Sequence, residues 1–274
     1  MSDLMKIYDT LLAHYGDLDW WPADSPYEVM VGAVLTQNTA WGNVEKAIAN
    51  FGDRLAPDSI QSMDISELTE IIRPSGFFNQ KAVYLKAVTE WYAKYGFDVS
   101  SVQKEPLGKL RAELLGVKGV GRETADSILL YAFGFPTFVV DAYTVRFCER
   151  IPIDAGKGYE AVKAHFESGV SKDTKVYNNY HALIVINGKN HCRKKPMCDG
   201  CRCMECVERM GTNAMFNGFT QQTIDFMWNL RLNNNKAWFE EHKEDFKRDF
   251  QAPMKALGHE VFERITTDYP ENKL

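Results

Sequence analysis

Between Val117 and Asp141 the chain strings together a Gly-Val-Gly turn, a helical run, a Gly/Pro break and a single carboxylate. In Val117-Lys118-Gly119-Val120-Gly121-Arg122 the glycines let the backbone come close to a phosphate. The helix that starts at Arg122 offers unpaired N–H groups and a positive dipole end. Contacts of this kind hold a nucleic-acid backbone without reading its sequence. Gly119, Val120, Gly121 and Arg122 are therefore candidate DNA contacts. Asp141 follows Val139-Val140 and precedes an amphipathic segment, which makes it a helix N-cap. The same helix terminus would keep it ionised, able to stabilise an oxocarbenium-like sugar or to orient water against C1′. The two roles are compatible.

A second cluster lies downstream. Cys192, Cys198, Cys201, Cys203 and Cys206 fall close together, while Cys148 stands apart. Clustered cysteines in a cytosolic chain read as metal ligands before disulfides, and four thiolates suit zinc or an iron–sulfur cluster alike. Arg193, Lys194 and Lys195 make the same loop basic. Lys189 sits in the polar run Asn187–His191, either as a solvated charge or as part of a pocket. Of the N-terminal tryptophans, Trp20 reads as core, whereas Trp21, beside Pro22, and Trp41 suit packing and ligand stacking equally.

The elements that must position these groups read as helices. Apolar residues recur with helical spacing over 4–16, 27–51, 66–73, 80–95, 107–115, 122–133, 142–151, 157–169 and 174–186, and no segment alternates like a strand. The expectation is an all-α body. After Cys206 the character changes: 208–218 reads as a linker, Thr220 caps a helix to about Arg231, and a charged helix runs from Lys236 to about Phe250. This tail is expected to be the opening of a second domain.

The 274 residues carry a formal net charge of −5, unfavourable for nucleic acid at face value. Its distribution matters more: residues 101–200 hold 15 Lys+Arg against 11 Asp+Glu, whereas residues 1–100 hold 7 against 14. The basic excess falls on the hairpin and the first cysteines. No apolar run is long enough for a membrane span, and the start lacks signal-peptide character, so a cytosolic location is expected.

Gly119-Val120-Gly121-Arg122, Thr124-Ala125, Gly134-Phe135-Pro136, Asp141 and Arg146 together resemble the endonuclease III superfamily of DNA glycosylases, defined by a helix-hairpin-helix, a Gly/Pro loop and a catalytic Asp. Leu35-Thr36-Gln37-Asn38-Thr39 is similar to its DNA-facing N-terminal helix, adding Gln37 as a DNA contact, and Ser75–Ala82 to its glycine-started helix. The resemblance covers about residues 1–207. It implies a two-lobed helical fold, double-stranded DNA bound by a monomer at the bacterial nucleoid, and a flipped base. The cysteine run resembles the family's [4Fe–4S] loop with two gaps one residue short, which implies Cys192, Cys198, Cys201 and Cys206 as ligands, with Cys203 able to replace Cys206. Lyase members carry a lysine where this chain has Glu123, so the resemblance implies base removal without strand cleavage. Trp20-Trp21-Pro22, Arg73–Ala82 and Gly119–Asp126 are most similar to the 3-methyladenine subgroup, which implies alkylated purines held by Trp21, Pro22, Trp41 and Lys189. An oxidised-pyrimidine glycosylase/lyase and a non-catalytic cluster-bearing DNA binder are the alternatives. Phe219-Thr220, Asn233–Lys236, Trp238-Phe239 and Pro253 resemble the opening of an uncharacterised bacterial domain.

Overall fold

A computed structural model describes residues 3–18, 20–151, 154–198, 201, 203, 216 and 218–268. Among the described residues every regular element is helical. Cys206 and most of the 208–218 stretch lie outside them. The chain forms two compact units, one of residues 1–147 with 154–196 and one of residues 148–153 with 197–274. None of the described helices is long and apolar enough to cross a membrane.

The first unit holds two packed groups of helices. The first group comprises α2 (Pro26–Leu35), α3 (Trp41–Ala49), α4 (Pro57–Ser62), α5 (Ile65–Ile71), α6 (Phe78–Ala93), α7 (Val99–Gln103), α8 (Leu107–Leu115) and α9 (Arg122–Ser127). Helix α2 is apolar nearly all round and buries Tyr27 and Val29 through Leu35 at the centre of this group, as such a helix must. Leu85, Val88 and Trp91 of α6 and Leu110 and Leu114 of α8 complete the core around it. The second group is α1 (Asp3–Tyr15), α10 (Ala142–Arg150), α11 (Tyr159–Gly169) and α12 (Thr174–Asn190). Here Phe138 stacks on Phe166 at 4.2 Å, with Tyr177 and Tyr180 packed edge-on, and the Tyr180 hydroxyl donates to Leu4 O at 2.9 Å.

Three boundaries differ from the sequence reading. The run 27–51 is two helices, because Asn38 takes a left-handed backbone (φ 52°) within the polar turn Thr36–Ala40. Asparagine tolerates that conformation better than most residues. Helix α12 runs on through Lys189 to Asn190, so the supposed polar loop is its last turn; Gly188 fits there because a Cβ would meet the Tyr143 ring at 2.4 Å. The apolar run after Ser127 becomes a π turn, Ile128–Ala132. Gly134 (φ 70°) ends it, letting the Gly134 and Phe135 N–H groups bond Leu130 O and Leu129 O.

In the second unit α13 (Gln221–Leu232) starts at the Thr220 cap, followed by α14 (Lys236–Glu241) and α15 (Lys243–Asp245). The charged run does not stop at Phe250. A π turn, Phe246–Gln251, leads directly into α16 (Ala252–Asp268), whose second residue is Pro253, which has no N–H to donate. Phe226, Trp238, Phe239 and Phe246 supply the aromatic packing of this unit.

Candidate active site

The candidate catalytic carboxylate and the candidate pocket residues of the first unit meet at one cavity of about 270 Å³, bordered by both helix groups. Asp141, Trp21, Pro22, Trp41 and Lys189 line it. So do Trp20, Glu123, Tyr143 and His181, none of which the sequence marked as pocket residues. Trp20 read as core, and His181 lay unremarked within the helical run 174–186; only their neighbours in space give them a different meaning.

The carboxylate of Asp141 is used on both sides. The Thr144 N–H and hydroxyl donate to Oδ1 at 2.7 and 3.0 Å, capping α10. This leaves Oδ2, which faces His181 Nε2 at 3.7 Å. That separation exceeds a hydrogen bond, so the imidazole acts on the carboxylate through its electrostatic field. Burial works to raise the Asp141 pKa, but His181 and the two Thr144 donors outweigh it and hold the group below its ordinary value. His181 is fixed from behind by Tyr131, whose hydroxyl lies 2.6 Å from Nδ1. Burial, with the charge of Asp141 adding to it, raises Tyr131 well above the phenol range, so its O–H is retained.

Glu123 lies in the first turn of α9 and lines the cavity while part of its surface stays open to solvent. Partial desolvation raises its pKa, the charge of Asp141 raises it further, and His181 opposes both. The walls are aromatic: Trp21 packs edge-on against Trp41 at 5.3 Å and tilted against Tyr131 at 5.3 Å. Gly32 of α2 makes room for Trp21, since a Cβ there would stand 3.2 Å from its Nε1. Lys189 Nζ lies 5.4 Å from the centre of the Trp20 ring.

Two buried networks hold the walls. Lys81, 1% exposed, donates to Leu35 O, Thr39 Oγ1 and Ser75 O, each at 2.7 Å, and so pins the Thr36–Ala40 turn. Burial lowers its pKa to about 8. Asp126, wholly buried, accepts two bonds from Arg111 at 2.9 and 3.0 Å, one from Thr137 at 2.9 Å and one from Tyr159 at 2.8 Å. Lys163 lies 3.4 Å from the same carboxylate and bonds Glu167, which in turn accepts the Phe138 N–H at 2.9 Å. The network thereby fixes the extended segment that delivers Asp141.

Beside the cavity runs a recess lined by Gln37, Asn38, Gly119, Gly121 and Arg122. Gln37 Nε2 donates to Gly119 O at 2.9 Å and Thr124 Oγ1 at 3.0 Å, tying the end of α2 to the hairpin. Gly119 is required by the fold: its φ is 83° and the Tyr84 ring would lie 2.1 Å from a Cβ. Gly121 is not, since its φ is −89° and its Cβ position is open. Val120 is buried and its N–H bonds Val117 O, so its amide is not one that a phosphate could use. Arg193, Lys194 and Lys195 are exposed, with Arg193 Nε bonded to Lys189 O at 2.7 Å. Among the described residues no three His, Cys, Asp or Glu side chains gather as a metal site. Cys192 and Cys203 are buried, and the Cys201 N–H closes a turn onto Cys198 O at 3.0 Å.

Residues 31–172 match the HhH-GPD superfamily of base excision DNA repair proteins, and residues 222–273 match a conserved hypothetical protein family, DUF2461. A Methanocaldococcus jannaschii protein, MJ1434, provisionally named a DNA repair glycosylase, is 49% identical over 213 residues, covering 75% of this chain and 96% of its own. The Helicobacter pylori 3-methyladenine DNA glycosylase MagIII, solved with 1,N6-ethenoadenine, superposes with a TM-score of 0.59 at 28% identity, covering 69% of this chain and 98% of its own. A trapped endonuclease III–DNA covalent intermediate shares the fold with a TM-score of 0.63 at 23% identity, over 77% of this chain and 100% of that one. With the helix-hairpin-helix, the Gly/Pro turn and Asp141 in place, the chain belongs to the HhH-GPD superfamily of base excision DNA repair proteins.

Proposed function

We propose that the protein is a monofunctional DNA glycosylase that flips an alkylated purine, of the 3-methyladenine kind, into the cavity and hydrolyses its glycosidic bond. The observation that carries this reading is one aromatic-walled cavity holding an ionised Asp141, with a carboxyl, Glu123, where lyase members carry their nucleophilic amine. A purine methylated on a ring nitrogen is cationic, so its glycosidic bond is already weakened. The faces of Trp21 and Trp41 attract such a ring, an interaction worth about 0.5–2 kcal/mol per contact. Asp141 Oδ2 then stabilises the positive charge that develops at C1′ or orients the attacking water. The bond electrons leave with the base, and water adds to the sugar.

DNA would be held by the amides of Gly119 and Gly121, by Arg122 and Gln37, and by the basic run Arg193–Lys195. At Gly121 no neighbour crowds the Cβ position, which leaves its backbone open to an approaching phosphate. We assign residues 1–207 to the glycosylase domain, 208–218 to a linker and 219–274 to a further helical domain. The donor chemistry of Cys192, Cys198, Cys201 and Cys206 suits a [4Fe–4S] cluster, with zinc the alternative and Cys203 a spare ligand. Such a cluster would supply a staple for the basic loop, and no step of base removal passes through it.

A glycosylase/lyase reading has one observation in its favour, the Lys189 amine lining the same cavity. Duplexes carrying 7-methylguanine separate the two. The expected result is free base released by the wild type and not by Asp141→Asn, with nicks appearing only after alkali. Equal release by both proteins removes the assignment, and a borohydride-trapped adduct lost in Lys189→Met installs the lyase reading instead.

A further inference from the structure

We propose that Glu123 is the proton donor to the departing base, so that the enzyme releases neutral damaged purines as well as cationic ones. This inference rests on the glycosylase reading of Asp141 and widens its substrate class.

The argument starts from position. The cavity and the hairpin recess are neighbours, and the residues that line both are Thr36, Glu123 and Ser127. A nucleotide with its phosphate on the hairpin and its base in the cavity must pass its glycosidic bond along that shared wall. Of the three residues there, Glu123 alone carries a titratable proton. Its carboxyl has no hydrogen-bond or ion-pair partner among the described residues, so its donor and acceptor capacity is uncommitted. By contrast, Asp141 is committed through Thr144 and stands beside His181.

The surroundings assign opposite protonation states to the two carboxyls. Asp141 is held low, while partial desolvation and the Asp141 charge push Glu123 upward. The other charged or titratable groups lining the cavity and recess are His181, Lys189, Tyr143 and Arg122. His181 opposes the rise, Lys189 lies over Trp20, and Arg122 is turned to Glu160 at 3.4 Å. A base entering the cavity displaces solvent from the Glu123 carboxyl and favours its neutral form further. Two carboxyls driven apart by their environments form an acid paired with an anion.

The step balances. The Glu123 O–H proton moves to a ring nitrogen of the purine as the C1′–N9 bond breaks, and the bond electron pair leaves on N9. Asp141 stabilises the sugar cation. Water adds to C1′ and returns a proton to the Glu123 carboxylate, so one water is consumed and a neutral base is released. A cationic base carries its own positive charge and gains little from this proton.

The test is single-turnover base release from two otherwise identical duplexes, one carrying 1,N6-ethenoadenine and one 7-methylguanine. The enzymes are wild type, Glu123→Gln and Glu123→Asp, each with its thermal melt recorded. The amide is isosteric and cannot give up a proton. The expected loss in Glu123→Gln is about 100-fold or more on the neutral base, the scale of general acid catalysis, and less than about tenfold on the cationic one. Glu123→Asp should restore part of the neutral-base rate. The wild-type rate on the neutral base should fall as pH rises through one ionisation, and that limb should be missing in Glu123→Gln. Equal losses on both substrates, or a wild type that releases 7-methylguanine but not the neutral base, overturns the inference and leaves the glycosylase reading standing. Release of neither base removes both.

Discussion

Replacing Asp126 with Asn asks whether a buried charge that lines neither the cavity nor the recess sets the position of Asp141. The Asp126 carboxylate is fully buried and receives four hydrogen bonds, two from Arg111 and one each from Thr137 and Tyr159, with Lys163 at 3.4 Å. The amide removes the charge and turns an NH2 group towards donors. Breaking a buried pair by losing one partner costs about 3–5 kcal/mol. With a urea slope of about 2 kcal/mol/M, the unfolding midpoint should fall by roughly 1.5–2.5 M. Glu160→Gln is the internal control. It touches the same Arg111 at 2.8 Å, but Glu160 is 49% exposed, so its loss should stay below about 1 kcal/mol. Catalysis should follow the network as well. Lys163 and Glu167 hold Phe138, three residues before Asp141, and a misplacement of about 1 Å can cost 100-fold in rate. Urea titration by circular dichroism, with base release measured well below the midpoint, reads both effects. A midpoint change as small as that of Glu160→Gln would refute the energetic reasoning. A stability loss with an unchanged rate would refute the link to Asp141.

The two hairpin glycines should separate fold from binding. Gly119→Ala meets the Tyr84 ring at a left-handed φ and should unfold or severely destabilise the first unit, whereas Gly121→Val should melt like the wild type yet bind duplex DNA at least tenfold more weakly in a fluorescence titration. His181→Gln should shift the acid limb of the pH–rate profile upward. Asp141 is depressed in the folded state, so its ionised form, and the stability that goes with it, are present above the ordinary carboxylate pKa and lost as pH falls through the lower folded value. Without His181, burial dominates and that loss begins at higher pH; an unmoved limb would mean that Thr144 alone holds the carboxylate.

The order of parts was legible in the chain itself. Helical spacing, the Gly119–Gly121 turn, the Gly134–Pro136 break and Asp141 before α10 are local features, and local features are written in neighbouring residues. The break of 27–51 was legible too, through the polar Thr36–Thr39 run, had its Asn been weighed as a left-handed residue. Other features were not legible. Trp20 joins the cavity and His181 faces Asp141 because helices distant in sequence pack together, and an apolar or aromatic residue looks the same in sequence whether it faces a core or a ligand. The burial of Lys81 and Asp126 is not written in their types, since Lys and Asp usually stay exposed; tertiary contacts supply the partners that make it tolerable. Glu123 shows the division most clearly. Its identity, a carboxyl in place of an amine, is written in the sequence; its raised pKa, and its place on the wall between hairpin and cavity, come from desolvation and the nearby Asp141, which only the folded chain provides.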